Sequence, residues 1–255
     1  MSKVETDAVR EFGAAAGEAV SVFMLNPETF EKSLAVGYPD PFSAYFAGRG
    51  GVLGEASATT VNAVFAVFEP NLVKTCWETG VGVHNAAESA RQYWDQVAEF
   101  GRRHLAGAEG VDRIAELGEK VIADAPEPGL PLYAGWRAMP LADDAPARAL
   151  QVMFVLRELR AAVHFNALTI SGITPVEAHI LNHGTDYAAF MGWQPPYVDA
   201  ADKKVLYGEV EDTTNRRMAQ LFSAALSPAE TEELARLSTA ALASLKASAP
   251  PPVGS

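Results

Sequence analysis

The chain has 255 residues, a formal net charge of −12 and 49% hydrophobic residues. This length and apolar content allow a sizeable core in one large or two small domains and exclude wholesale disorder. The acidic balance argues against a nucleic-acid or membrane-surface partner, because both kinds of binding depend on Lys and Arg side chains that meet phosphate.

Cys76 is the single cysteine, so neither an intrachain disulfide nor a thiolate-rich metal site is available. The first twenty residues lack the basic and apolar regions of a signal peptide. No apolar run reaches the roughly 18 residues of a membrane-spanning helix. We therefore expect a cytoplasmic protein without a membrane partner.

In the first half of the chain, apolar residues recur at steps of three and four, which favours helices. Pro and Gly mark the breaks between them. The predicted helices are 4–22, a short helix through Phe30 and Leu34, the aromatic start of 41–57, 58–77, 82–105 and 109–124.

The second half begins after a segment with five prolines, residues 126–146, which we interpret as a linker. A helical hairpin then covers 149–186 and breaks at Gly172. A short helix from Asp186 to Met191, a polar helix over 199–224 and a last helix from Pro228 follow. The prediction is an all-α protein of about ten helices in two packed halves: an N-terminal domain (1–125), the linker (126–146), a C-terminal domain (147–246) and a disordered tail (247–255).

The hairpin carries charged residues in an otherwise apolar context. Arg157, Arg160 and His164 share one helical stripe by their spacing of three and four. This stripe suits an anion, with arginine for a carboxylate or phosphate and histidine as proton carrier. The alternative is an internal ion-pair network in which Glu158 neutralises an arginine, since buried charges escape desolvation by pairing.

Tyr45 and Arg49 lie one helical turn apart beside a cluster of glycines. Close backbone approach and an arginine suit a pocket wall. A helix end that Gly50 and Gly51 terminate, with a cationic cap, explains the same residues.

Several segments match a known family in order and spacing. They are Tyr45–Gly54 (YFAGRGGVLG), Val61, Phe65, Phe68, Pro70, Trp77, Leu156–His164 (LRELRAAVH), Gly172, Glu177, His183, Gly192, Trp193, Glu211 and Thr214. Together they resemble an actinobacterial family of mostly uncharacterised helical proteins labelled helix-turn-helix-like. The resemblance implies a second half that ends in a winged-helix-like segment, and a transcriptional regulator that acts as a homodimer.

Two departures from the family pattern affect that expectation. Leu150-Gln151 stands where the family commonly has Trp-His, and Arg160-Ala161-Ala162 where it has Arg-Gly-Asp. The stretch after Trp193, QPPYVDAADKKVLYG, is too short for a recognition helix and a wing. We therefore predict a degenerate winged-helix segment around the central hairpin.

A second group of residues in the hairpin raises the question of a metal. His179 and His183 share a helical face, and Asp186 follows three residues later. The resemblance favours Glu177 and His183, and these two with Glu158 and His164 make a set that a helix bundle could offer to iron or manganese. A capped helix end with hydrogen-bonded histidines is the alternative.

The sequence thus favours a small-molecule-binding protein, in one form an enzyme of specialised metabolism. His164 or His183 would transfer a proton and Glu158 or Glu177 would orient the imidazole. Arg157, Arg160, Tyr45 and Arg49 would hold the ligand. The rival functions are the transcriptional regulator and a non-catalytic protein that sequesters its ligand.

Overall fold

The computed structural model describes residues 3–251, and within them it contains thirteen α-helices, two short 3-10 turns and no strand. The predicted all-α fold class is confirmed. The helices are α1 (Lys3–Met24), α2 (Pro27–Ala35), α3 (Pro41–Gly50), α4 (Ala58–Phe65), α5 (Pro70–Val83), α6 (Ala86–His104), α7 (Val111–Asp124), α8 (Pro131–Arg137), α9 (Ala145–Ser171), α10 (Pro175–His183), α11 (Thr185–Phe190), α12 (Lys204–Ala225) and α13 (Pro228–Ser248).

Polar residues directly followed by proline start several of these helices. The side-chain oxygen accepts a free N–H of the first turn, and proline has no N–H to leave unsatisfied. The pairs are Asn26-Pro27, Asp40-Pro41, Glu69-Pro70, Thr174-Pro175 and Ser227-Pro228. The third pair divides the predicted helix 58–77 into α4 and α5, because the residue before a proline leaves the helical region.

Helix α9 is the central element, and α1, α6, α7, α8 and α12 all pack against it. Residues 149–156 are buried on every face of this helix, as expected of a helix inside a core. Close packing depends on small residues: a Cβ on Gly101 of α6 would lie 2.6 Å from the carbonyl oxygen of Pro146.

The first and the last helix, α1 and α13, pack side by side and run in the same direction. Thr239 donates to Glu11 (Oγ1–Oε1 3.1 Å). About two turns further along both helices, Lys246 forms an ion pair with Glu18. Beyond the end of α1, Asn26 Nδ2 donates to the carbonyl of Pro250 at 2.9 Å. Helix α13 and the residues after it thus follow α1 to its end and beyond it.

The proline-rich segment 126–146 contains helix α8, whose Tyr133 and Trp136 are fully buried. The Tyr133 hydroxyl donates to the carbonyl of Ile122 at 3.0 Å. One cluster of buried apolar residues extends from α1 to α13. The division into two halves stays a prediction. The predicted tail, 247–255, lies partly beyond the described residues, and α13 continues to Ser248.

Among the helices of the described range, none combines the length and the apolar character that a membrane crossing requires. After α9, Gly172 adopts a positive φ of 71° and turns the chain into α10. Helices α10 and α11, with the start of α12, then lie opposite α3 and the second half of α9. This arrangement encloses the site described next.

Candidate functional site

A cavity of about 540 Å³ lies between α1, α3, the second half of α9 and the segment α10–α12. Its volume is in the range of pockets that hold small organic molecules. Eight aromatic residues line it: Phe30, Phe42, Tyr45, Phe68, Phe165, Tyr187, Phe190 and Tyr207. The charged and titratable side chains on its wall, tyrosines apart, are Arg49, Arg157, Arg160, His164, His179, His183 and Glu211.

A buried ion pair between α3 and α9 supports one end of the cavity. Arg49 donates to both oxygens of Glu158, from Nε at 2.9 Å and from Nη2 at 2.8 Å. Both side chains are almost fully buried. Burial acts to raise the pKa of Glu158, but the charges of Arg49 and Arg157 outweigh it and hold that pKa below its usual value. Glu158 is therefore a fixed counter-ion.

Two guanidinium groups share the Glu158 carboxylate. Arg157 Nη1 donates to Glu158 Oε1 at 2.8 Å, while Arg49 Nη1 donates to the Tyr45 hydroxyl at 2.9 Å. Arg157 is about a quarter exposed, and its Nε and Nη2 have no hydrogen-bond partner among the described residues. This end of the cavity thus has one positive charge in excess.

The next polar group along α9 is Arg160, whose Nη2 donates to Glu211 Oε2 of α12 at 2.9 Å. Gly13 of α1 leaves room for it, because a Cβ there would lie 3.0 Å from the Arg160 Cδ. Glu211 also accepts from the Tyr207 hydroxyl at 3.3 Å. The Glu211 carboxylate therefore neutralises Arg160 and fixes its position on the cavity wall.

His164 lies one turn beyond Arg160 on the same stripe of α9. Its Nδ1 is 3.2 Å from Thr214 Oγ1 and 3.4 Å from Glu211 Oε1. The Thr214 hydroxyl already donates to the Val210 carbonyl, so it accepts from the imidazole and Nδ1 carries the hydrogen. Burial lowers the pKa of His164, Glu211 raises it, and Arg160 lowers it, with a net decrease. The neutral ring has its lone pair on Nε2, which has no partner among the described residues.

Two further histidines stand on α10, at the opposite wall. His179 Nε2 is 2.8 Å from the Val67 carbonyl, and His183 packs against Tyr187 with ring centroids 4.4 Å apart and the ring planes tilted by 46°. Burial is the first cause that lowers the pKa of each imidazole. Both histidines are neutral at pH 7 and form part of an aromatic wall.

Glu177 lies in the first turn of α10 and has a structural role. It forms a capping box with Thr174, and Lys203 pairs with it at 2.7 Å. Within the described part of the chain, no hydrogen bond or ion pair joins Glu158 or Glu177 to a histidine. The carboxylate beside His164 is that of Glu211.

The structure does not bring together Glu158, His164, Glu177 and His183, the four residues predicted as metal ligands. Neither glutamate lines the cavity, and arginine, lysine or threonine groups occupy their oxygens. Among residues 3–251, no group of three or more His, Cys, Asp or Glu side chains is arranged to hold a metal ion. The spacing on α9 and α10 gave no information on how the two helices face each other.

Of the residues predicted for ligand binding or proton transfer, six line the cavity. They are Tyr45, Arg49, Arg157, Arg160, His164 and His183. Tyr207, Glu211 and Thr214 were not predicted as site residues. Their signal was available, because spacings of four and three place them on one face of α12.

One of three comparisons with known proteins gave a match. A search of curated proteins and of solved structures found no match. A model of a helix-turn-helix family matches residues 9–251, which is nearly the whole chain. The protein therefore belongs to this helix-turn-helix family.

Proposed function

We propose that the protein binds a small organic anion with an aromatic body in the cavity between α3, α9 and α10–α12. The observation that carries this proposal is the excess positive charge at Arg157. Two guanidinium groups share one carboxylate there, and the N–H groups of Arg157 that remain face a cavity with aromatic walls.

A ligand carboxylate or similar anion completes this arrangement. It accepts the free N–H groups of Arg157 and balances the excess charge in a partly enclosed space. Hydrogen bonds between ionised partners contribute about 1.5–3 kcal/mol each, more than neutral ones. The aromatic residues supply apolar contact for the rest of the ligand.

Binding of 2-naphthoate, a fluorescent aromatic carboxylate, tests the proposal. We expect saturable binding by the wild-type protein and affinity lower by about 10- to 100-fold in Arg157→Gln, which loses one charge-assisted hydrogen bond. Arg217→Gln, an exposed position on the same helix as Glu211, is the matched control and should bind as the wild type does.

Circular dichroism and the thermal midpoint show whether each variant is folded. A folded Arg157→Gln protein that binds 2-naphthoate as tightly as the wild type contradicts the assigned anion site. Absence of saturable binding by the wild-type protein contradicts the proposed function.

The second candidate function is transcriptional regulation, which the family membership favours. The charge distribution opposes it. No Lys or Arg occurs between Arg160 and Lys203, a segment that includes α10 and α11. DNA-binding helices depend on such side chains for phosphate contact. In addition, α11 has only six residues, and no strand among the described residues supplies a wing.

We therefore propose that the winged-helix segment is degenerate and that this segment encloses a cavity instead of reading DNA. An electrophoretic mobility shift assay with duplex DNA tests whether the protein binds DNA. A shift at nanomolar protein that disappears as salt rises from 50 to 200 mM would support the regulator.

The arrangement of His164 and Glu211 also favours a catalytic form of the proposed function, with acid–base chemistry on the bound ligand. A non-catalytic protein that sequesters the ligand is the alternative. Incubation with a metabolite extract and mass spectrometry separate them. Loss of a compound beyond one equivalent of protein indicates an enzyme, and capture that stops at one equivalent indicates sequestration.

A further inference from the structure

We infer that the cavity selects aromatic acids that carry a second polar group, a hydroxyl or amine hydrogen that donates to Nε2 of His164. The inference rests on the proposed function and names the ligand class of the same cavity. It follows from the orientation of the imidazole and from the positions of Arg157 and His164 on one helix.

The surroundings of His164 determine which of its ring nitrogens accepts a hydrogen bond. Thr214 and Glu211 both face Nδ1, at 3.2 and 3.4 Å, and both are acceptors there. They hold the hydrogen on Nδ1 and leave Nε2 as a hydrogen-bond acceptor. Thr214 is fully buried, so this orientation is built into the packing of α12 on α9.

The neighbours of Nε2 on helix α9 are hydrogen-bond donors. Arg157 and Arg160, the other two members of the α9 stripe, are donors only. Arg160 is engaged by Glu211, whereas Arg157 has free N–H groups. Arg157 and His164 are seven residues apart, about 10.5 Å along the helix axis. A ligand that lies along α9 thus meets an anion-binding group at one end and an acceptor at the other.

The unpaired Nε2 allows the cavity to discriminate between ligands with and without a hydrogen-bond donor. A site built around a fixed acceptor loses a hydrogen bond when the ligand has no donor, because the acceptor then stays unpaired. Glu211 helps to fix the orientation of the imidazole, because its carboxylate lies 3.4 Å from Nδ1.

The test compares 2-naphthoate with its 6-hydroxy, 7-hydroxy and 6-methoxy derivatives on the wild-type protein. We expect at least one hydroxy compound to bind more tightly than 2-naphthoate by up to about tenfold, the effect of one hydrogen bond. The methoxy compound has the oxygen but no donor, so it should show no gain.

His164→Asn removes Nε2 but leaves an amide where Nδ1 stood. We expect it to abolish the gain from the hydroxyl, measured within the variant as the ratio of its dissociation constants for 2-naphthoate and the hydroxy compound. His164→Gln, whose amide reaches the position of Nε2, should restore part of the gain. His84→Asn, remote from the cavity and bonded to the carbonyl of Val36, is the control and should retain the full gain.

If no hydroxy compound binds better than 2-naphthoate, or if His164→Asn keeps the gain, the inference fails and the proposed function stands. If none of the four compounds binds the wild-type protein, both fail.

Discussion

At the residue scale, Glu158 shows how a charge is maintained inside a helical core. Its carboxylate accepts from Arg49 and Arg157, residues 109 and 1 positions away in the chain. Such a pair stabilises less than its short distances suggest, because both charges lose their hydration. Removal of one partner is costly, since the other charge then lies buried without compensation.

We predict that Glu158→Gln lowers the free energy of unfolding by about 3–5 kcal/mol. The double variant Arg49→Met/Glu158→Met should recover most of this loss, because no buried charge remains. Urea unfolding measures both. Glu109→Gln, in an exposed pair with Arg236, is the control and should change the value by no more than about 0.5 kcal/mol. Equal losses in the double and the single variant would contradict the explanation.

The protonation of His164 should make the free energy of unfolding depend on pH. Its pKa is lowered in the folded protein by burial and by Arg160, against the effect of Glu211. As the pH falls below about 6.5, the unfolded chain therefore takes up this proton first, and the free energy of unfolding decreases. Between the folded and the unfolded pKa, stability rises with pH by at most about 1.4 kcal/mol per unit.

In His164→Gln this contribution disappears, so the plot of unfolding free energy against pH should be flatter between pH 5 and about 6.5. His179 and His183 act in the same direction and contribute to the slope that remains. Chemical unfolding at several pH values provides the data. An unchanged slope in the variant would show that His164 titrates alike in both states.

At the element scale, local chemistry determines most helix limits. The predicted segments 4–22 and 109–124 differ from α1 and α7 by two residues or fewer at each end, because capping and apolar spacing are local. The helix 82–105 is α6, which starts later, since Asn85 caps it. The helix α8 was missed: its seven residues lie among prolines, and only its packing against the core defines it.

The site was predictable only on the elements that carry its residues at regular spacing. Arg157, Arg160 and His164 are one stripe of one helix, and the cavity wall uses that stripe. The partners of the stripe come from elsewhere: Arg49 from α3 and Glu211 from α12. The sequence has no local signal for such pairings, because the packing of distant helices creates them.

The capping box of α10 allows a test of whether this helix contributes to ligand binding. Thr174→Ala removes the N-cap oxygen at a cost of about 1 kcal/mol. Because α10 bears His179 and His183 on the cavity wall, we expect faster amide exchange over 175–183 and weaker binding of 2-naphthoate. Ser227→Ala, in the capping box of α13, has a similar cost and should leave the binding unchanged. Equal binding in both variants would exclude α10 from the site.

At the scale of the whole molecule, α1 and α13 contribute buried residues to the same hydrophobic core. The buried residues of α13 include Leu234, Leu237 and Leu245. We predict that a chain stopped at Ser227 lacks a cooperative thermal transition. A synthetic peptide of residues 228–248 should restore the transition when added. The same peptide with Asp at positions 234 and 237 should fail. A cooperative transition in the shortened chain alone would refute this dependence.

The parallel packing of α1 and α13 also has a consequence during synthesis. About 200 residues separate the two helices, and a ribosome adds about 5–20 residues per second. The apolar face of α1 therefore waits roughly 10–40 s for its partner after it has left the exit tunnel. During that interval the face of α1 that packs against α13 is open to a chaperone, because the other partners of α1, α9 and α12, are synthesised earlier.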